Sequence, residues 1–486
     1  MKRLLMFSLL LTCSVTKAQS FRRTFRWGNF NTFPSFAVST ESGYGIFGSY
    51  SGPSTAQTGL VFFRTDSDGA LLWEKTFGGG GVDQARDIIA LPDSGWLLAG
   101  YTNSFSSNND YDGYLLRLDR NGDTLWTHTY GGTDWDFLHD ALLLPDGNYL
   151  LCGSSQRPGS GSVAGWMLVV DPSGTLVQEQ FYQVSENSTL LKATLCTDGD
   201  LLFAGFTENP NDFHRKALVI RRTYPVLQNQ EWSYSTTNLD REEIHDVEEL
   251  PSGEILVCGS KTYSGRTDLD FLIQKISGNG FLVNQDFTSD PGDSGYNDFF
   301  VSNDTVYACG YISSSGQGGN DFVVNLFTTS LVFANRSCTL GKGQDEVIEH
   351  AEKDSGNFFL LGGTTTSEPQ GIQSMLFVKT DISSCSQTTP WVIGIKENEL
   401  PYKPEVFPNP TDGIFQVRLP DGWTYGTELK LSVISTTGEI IFEESIYGER
   451  VTVHLSGYTA GVYRLVIQRK DGQRIGRNIV LLSAAH

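Results

Sequence analysis

One phrase recurs along most of this chain and limits what it can fold into. Leu91-Pro92-Asp93-Ser94-Gly95-Trp96-Leu97-Leu98-Ala99-Gly100 reads as strand end, tight polar turn and apolar strand closed by a glycine. It returns as Leu144 to Gly153, Cys196 to Gly205 and Leu250 to Gly259, with weaker copies ending at Gly48, Gly310 and Gly362. Those seven glycines stand 52, 53, 52, 54, 51 and 52 residues apart. So regular a period marks a repeat architecture, in which each unit buries its apolar faces only against its neighbours.

Each unit carries two further strands. The third strand recurs as Val61 to Phe63, Tyr114 to Leu118, Trp166 to Val170, Ala217 to Ile220, Phe271 to Ile276, Phe322 to Leu326 and Met375 to Val378. Turns such as Ser67-Asp68-Gly69 and Arg120-Asn121-Gly122 follow, then a fourth strand with Leu72-Trp73 or Leu125-Trp126. Four short antiparallel strands per unit describe one blade of a β-propeller, and seven units predict seven blades. The seventh copy lacks a fourth strand after Asp381, whereas Phe21 to Trp27 precedes the first copy, with Phe25 standing 52 residues before Phe77. The N-terminal segment is therefore expected to complete the last blade and remove its open edge. The composition agrees: 52 glycines and only 19% charged residues suit an all-β chain with many turns.

Residues 1–18 have the pattern of a signal peptide: basic Lys2 and Arg3, the apolar run Leu4 to Cys13, and small residues before Gln19. That run is too short for a transmembrane helix, and no other stretch is long and apolar enough. The net charge of −21 opposes binding to nucleic acid or to an anionic membrane. Of the seven cysteines, Cys152, Cys258 and Cys309 precede a repeat glycine, a slot that Ala99 and Ala204 fill elsewhere, so they are expected to be small buried core residues. Cys338 and Cys385 fall outside the repeat slots, on neighbouring blades, where a disulfide is one of the outcomes the pattern allows.

After a Pro-containing stretch, residues 383–404, the turn vocabulary changes. From Glu405 short strands alternate with Asp-Gly, Thr-Gly and Ala-Gly turns, which predicts a second, smaller domain over 405–486, an Ig-like antiparallel β-sandwich. The expected organisation is a signal peptide over 1–18, a seven-bladed propeller over 19–382, a linker over 383–404 and the sandwich. The stretch Val406-Phe407-Pro408-Asn409-Pro410-Thr411-Asp412-Gly413 resembles the opening of the C-terminal (type A) sorting domains of the type IX secretion system of Bacteroidota. Gly438, Gly461 and Tyr463 follow in the family's order, and Arg477 to Leu481 also fits, although Asn478 stands where a Lys is commoner. The resemblance implies export through the periplasm, handling by the type IX machinery, and a surface or secreted destination. The propeller copies are similar to delta-60-type repeats, which implies fold alone.

Two repeat positions carry candidate chemistry. Seventeen residues before each repeat glycine stand Asn31, Asp83, Asp136, Ser188, Glu242, Asp293 and Asp345. Thirteen before stand Ser35, Asp87, Asp140, Lys192, Asp246, Asn297 and Glu349. Positions four apart in an extended strand share a face. One reading makes these side chains caps for backbone amides where blades meet. The other makes Asp83, Asp87, Asp136, Asp140, Glu242, Asp246, Asp293, Asp345 and Glu349 an acidic ring that binds a cation or basic ligand, broken at the fourth copy by Ser188 and Lys192. Alternation places His139, His245 and His350 on the face opposite the acids, away from any shared metal. Asp119 to Asp123 reads as a turn rather than a calcium loop, since the later Glu is missing. The sequence has neither a Gly-x-Ser-x-Gly elbow nor a His-Glu-x-x-His motif. The leading expectation is thus an exported binding or scaffold protein for a surface glycan or protein, with no cofactor beyond a bound cation. The alternative is a carbohydrate-active or other hydrolytic enzyme using the acidic channel.

Overall fold

The computed structural model describes most of residues 20–381 and 404–481, apart from short loop segments. Residues 1–19, which include the expected signal peptide, and 382–403, which hold most of the expected linker and Cys385, lie outside the described residues. So do Ser35, Pro408, Asn409, Pro410, Gly438 and the side chain of Cys338. The chain divides into two compact units, Met1–Ile393 and Gly394–His486.

The first unit is a propeller of seven four-stranded antiparallel sheets. Blade 2 shows the plan: Asp83–Ala90, Trp96–Thr102, Asp112–Leu118 and Thr124–Tyr130 pair in order from the innermost strand outward. The other innermost strands are Phe36–Thr40 (blade 1), Asp136–Leu143 (blade 3), Asn187–Leu195 (blade 4), Glu242–Glu249 (blade 5), Ser294–Ser302 (blade 6) and Glu346–Lys353 (blade 7). Blade 7 takes its outermost strand from the other end of the chain, with Phe21–Phe25 antiparallel to Ser374–Asp381 and Phe21 opposite Lys379. Phe21 and Phe25 are buried with Tyr44, Phe63 and Phe377, so one apolar cluster spans the first and last blades. Between other blades the same rule holds: Leu150 and Met167 of blade 3 pack with Leu190 and Phe203 of blade 4.

Six inner strands carry a β-bulge at one place. In blade 2, Ala85 pairs with Gly100 and Asp87 with Ala99, leaving Arg86 as the extra residue. The bulge explains the repeat glycine. A Cβ on Gly100 would lie 2.0 Å from the carbonyl oxygen of Gln84, and Gly153, Gly205, Gly259, Gly310 and Gly363 face similar contacts. The seventh repeat glycine is therefore Gly363. Gly362, which the period selects, pairs with His350 and fills the slot of Ala99.

The bulge also reverses the expected facing. Paired residues point to the same side of a sheet, and successive residues to opposite sides. Asp83 pairs with Thr102 and Asp87 with Ala99, so these carboxylates lie on opposite faces of their blade. The inserted residue breaks the four-residue rule that would have put them together.

The second unit has two antiparallel sheets. Glu405–Phe407, Ile414–Arg418 and Arg450–His454 form one. Ile440–Ile446, Leu429–Ile434, Gly461–Arg469 and Arg474–Leu481 form the other. Phe415, Val417 and Val453 of the first sheet share a core with Leu431, Leu465 and Ile479 of the second, which makes a sandwich. Tyr463 is buried in that core, and Gly461 begins a strand paired to Leu481. Gly413 adopts φ +119°, and its carbonyl accepts a hydrogen bond from the Leu455 amide.

Candidate functional site: the polar channel of the propeller

The bulge sorts the inner-strand polar residues into three sets. The first precedes it: Asp83, Asp136, Ser188, Glu242, Ser294 and Glu346, all buried. These serve their own blades. Asp83 accepts hydrogen bonds from the Thr102 hydroxyl, from Ser104 Oγ at 2.8 Å and from the Gly79 amide at 2.8 Å. Asp136 accepts from the Gly132 amide at 2.7 Å, Glu242 pairs with Lys261 Nζ at 3.1 Å, and Glu346 accepts from Thr365 Oγ1 at 2.6 Å. Asp293 and Asp345, the expected members in blades 6 and 7, stand one residue earlier and are exposed. There they accept the amides of Leu269 and Asn320, each at 2.9 Å. Asn31, the first-blade member, is also exposed and accepts the Gln373 amide at 3.0 Å.

The second set follows the bulge: Asp87, Asp140, Lys192, Asp246, Asp298 and His350, one from each of six consecutive blades. Each of the four aspartates reaches across to the next blade, to a backbone amide just past the bulge there. Asp87 accepts the Ala141 amide at 3.0 Å, Asp140 that of Ala193 at 2.9 Å, Asp246 that of Phe299 at 3.2 Å and Asp298 that of Ala351 at 2.8 Å. Such a hydrogen bond contributes about 0.5–1.5 kcal/mol, and about 1.5–3 kcal/mol where the carboxyl is ionised, so this ring laces blades together. Asp298 and His350 take the places expected for Asn297 and Glu349. The hairpin of blade 6 is one residue shorter, with Asn303 and Asp304 both at positive φ in a two-residue turn, and the blade 7 count starts from Gly363.

Lys192 does not interrupt this ring; it balances it. Its Nζ lies 3.0 Å from Asp140 Oδ1. Burial opposes its charge, but Asp140, Asp87, Asp246 and Asp298 together hold its pKa well above the ordinary lysine value. Nor does His350 face away from the acids, because its Nδ1 is 2.8 Å from Asp298 Oδ2. Burial lowers the imidazole's basicity, yet Asp298 overrides it and raises the pKa. Against burial, His350 in turn holds Asp298 below its usual range. Burial and then the charge of Asp298 push Asp246 well up, and burial with Asp140 pushes Asp87 up to about 7. The ring therefore holds protons at neutral pH and is close to charge balance.

The third set comprises the bulge residues Arg86, His139, Leu191, His245, Asn297 and Glu349. His245 Nδ1 lies 2.7 Å from the Tyr296 carbonyl oxygen, and Asn297 Nδ2 donates to that of Ile348 at 2.6 Å. Burial pushes Glu349 up to about 7, with His245 and Arg86 opposing. Burial and Arg86 push His139 down to about 3. Among the described residues no three His, Cys, Asp or Glu side chains converge as metal ligands. Asp119 closes an ordinary turn, its Oδ1 accepting the amides of Asn121 and Asp123, each at 2.8 Å. Cys152, Cys258 and Cys309 are buried free thiols opposite Asp140, Asp246 and Asp298.

Sequence counting found Asp87, Asp140 and Asp246 but missed Asp298 and His350. A usable signal was present, since Asp298-Phe299-Phe300 repeats the pattern of Asp87-Ile88-Ile89.

These features define a β-propeller with a buried, charge-balanced ring, joined to a β-sandwich. Residues 405–481 match the model of the secretion system C-terminal sorting domain. The sandwich is thus a type IX sorting domain, whose presence implies export by that machinery to the cell surface or medium. No curated protein matches the chain. Among solved structures, the extracellular domain of a putative one-component system from B. thetaiotaomicron is similar at 12% identity and a TM-score of 0.42, covering 96% of this chain and 58% of its own. Puromycin hydrolase is similar at 15% identity and a TM-score of 0.44, covering 80% of this chain and 59% of its own. The β-propeller domain of the Trilobed protease from Pyrococcus furiosus is similar at 9% identity and a TM-score of 0.42, covering 76% of this chain and 98% of its own. The chain thus spans under three fifths of the length of the first two. Among the described residues no helix is long and apolar enough to cross a membrane.

Proposed function

We propose that this is an exported binding protein: the propeller, over residues 19–382, is the passenger, and residues 405–486 are its address. A signal peptide in residues 1–18 starts the route and residues 383–404 link the two parts. The match of residues 405–481 to a sorting domain carries the export half of this reading. The binding half rests on how the channel acids are used. Asp87, Asp140, Asp246 and Asp298 are committed to backbone amides. They hold the scaffold, and recognition is left to side chains around the mouth. The test is a pair of expressed chains, full length and truncated after Pro404, followed through cell fractionation. The full chain is expected at the surface or in the medium and the truncated chain in the periplasm. Equal export of both would sink the address.

A second reading, a hydrolytic enzyme acting on a carbohydrate, has one observation in its favour. Glu349 sits in the channel with a pKa pushed up to about 7, the range of a general acid. Glycan turnover by the purified propeller, abolished in Glu349→Gln, would favour that reading over simple binding.

A further inference from the structure

Around the end of the channel where the inner strands begin, one sector is built from aromatic rings. Tyr101 lies next to the end of the second strand of blade 2, Tyr111 precedes its third strand, and Trp135 and Phe137 flank the first residue of the inner strand of blade 3. The Tyr101 and Phe137 ring centroids are 4.8 Å apart, those of Tyr111 and Phe137 5.6 Å, and those of Tyr111 and Trp135 5.9 Å. Trp135 is 55% exposed despite these contacts. Buried apolar cores do not need an indole at the solvent, and a rigid aromatic surface of this kind gives contact area at low entropic cost.

Beside the platform stands Arg86, the bulge residue of blade 2. Its guanidinium carbon lies 5.3 Å from the centroid of the Tyr101 ring. Among the described residues it has no hydrogen-bond or ion-pair partner, and its Nε is buried without one. Acids outnumber bases 56 to 35 in this chain, so an arginine left without a carboxylate is informative. Glu349, whose charge acts on Arg86, is only partly ionised near neutral pH because burial pushes its pKa up to about 7. The ring below is occupied by backbone amides, Lys192 and His350. The charge of Arg86 is therefore available to an incoming anion.

A flat ring with polarised C–H groups stacks on an exposed indole, and a carboxylate on that ring meets a guanidinium through two parallel hydrogen bonds. We propose that Trp135, Tyr111 and Arg86 form a binding site for an acidic glycan, with a uronate ring stacked on the aromatics and its carboxylate held by Arg86. The site deepens the binding reading and rests on it.

Calorimetric titration of the full-length protein with an oligogalacturonate and with its carboxyl-reduced, neutral counterpart tests the site. The acidic oligosaccharide is expected to bind at least about tenfold more tightly. Trp135→Ala is expected to weaken it by about tenfold or more, and Arg86→Gln to erase the preference for the acidic form. Arg241→Ala, at the place of Trp135 in the sector formed by blades 4 and 5, should leave both affinities unchanged. Circular dichroism and thermal melts check that each variant is folded. Wild-type affinity in folded Trp135→Ala, or an unchanged preference in Arg86→Gln, would overturn the site while leaving a binding protein whose glycan lands elsewhere. No affinity for either oligosaccharide in a normally exported wild type would also overturn it, without touching the export reading.

Discussion

Blades 2–3 and blades 4–5 answer the same geometric problem with opposite chemistry. By strand register, Tyr101, Tyr111, Trp135 and Phe137 in the first sector correspond to Phe206, Arg215, Arg241 and Glu243 in the second. In the first, rings pack on rings, mostly edge to face. In the second, Arg215 pairs with Glu208 at 2.6 Å and with Glu243 at 2.9 Å, and Arg241 pairs with Glu243 at 2.6 Å. Phe206 remains aromatic but is capped by the Arg215 guanidinium 4.2 Å from its centroid. Burial would push Glu243 up, yet His245, Arg215 and Arg241 hold it at about 2. The ion-paired sector has spent its charges internally. The aromatic sector keeps an exposed indole and an unspent arginine. A repeat fixes the backbone at both places, so the side chains alone decide which sector is closed and which is open to a ligand.

The contrast can be broken most severely at the ring beneath both sectors. Lys192→Met removes the cation that Asp140, Asp87, Asp246 and Asp298 share, and is expected to lower unfolding free energy by about 3–5 kcal/mol. Urea unfolding at pH 7 measures this, and a loss below about 1 kcal/mol would mean the ring needs no counter-charge. In the ion-paired sector, Arg215→Met leaves Glu243 and Glu208 short of a partner and is expected to cost about 2–3 kcal/mol.

A pH series sharpens the same contrast. Asp87 and Glu349, with folded pKa values near 7, and the raised Asp246 and His350 contribute stability that is present in mild acid. For the carboxyls it is full below the unfolded value near 4 and is lost as pH climbs to about 7. For His350 it is full below the unfolded value of about 6.5 and is lost as pH rises through the raised folded value. Glu243, depressed to about 2, works the other way: its contribution is present above about 4.5 and lost as pH falls toward 2. Denaturation midpoints are therefore expected to rise from pH 8 to about pH 5 and to fall below about pH 4. Glu243→Gln should flatten the acid limb alone. The smallest stability effect belongs to Trp135→Ala, expected within about 0.5 kcal/mol of wild type because the indole is already half in solvent. A large loss there would show that the platform is core rather than a binding surface.

Much of this was legible in the chain itself. The glycine period fixes the number of blades, and the missing fourth strand after Asp381 points to closure by Phe21–Phe25. The ring of acids was readable for blades 2, 3 and 5, where hairpins have the common length. It was misread in blades 6 and 7, where a two-residue turn and the Gly362-Gly363 pair shift the count by one. Such a shift changes which residue faces the ring, because side chains alternate along a strand.

The aromatic platform had no signature along the chain. Tyr101, Tyr111 and Trp135 lie in three different segments and meet only once blades 2 and 3 are side by side. The sequence by itself determined the repeat, the blade pattern and the sorting domain, since each is written in local periodicity or a contiguous motif. The tertiary structure decided which carboxylates share a face, that Lys192 completes the ring, and that Arg86 has no hydrogen-bond or ion-pair partner among the described residues. Those outcomes depend on a bulge and on contacts between blades, and neither is encoded in the spacing of residues along a single strand.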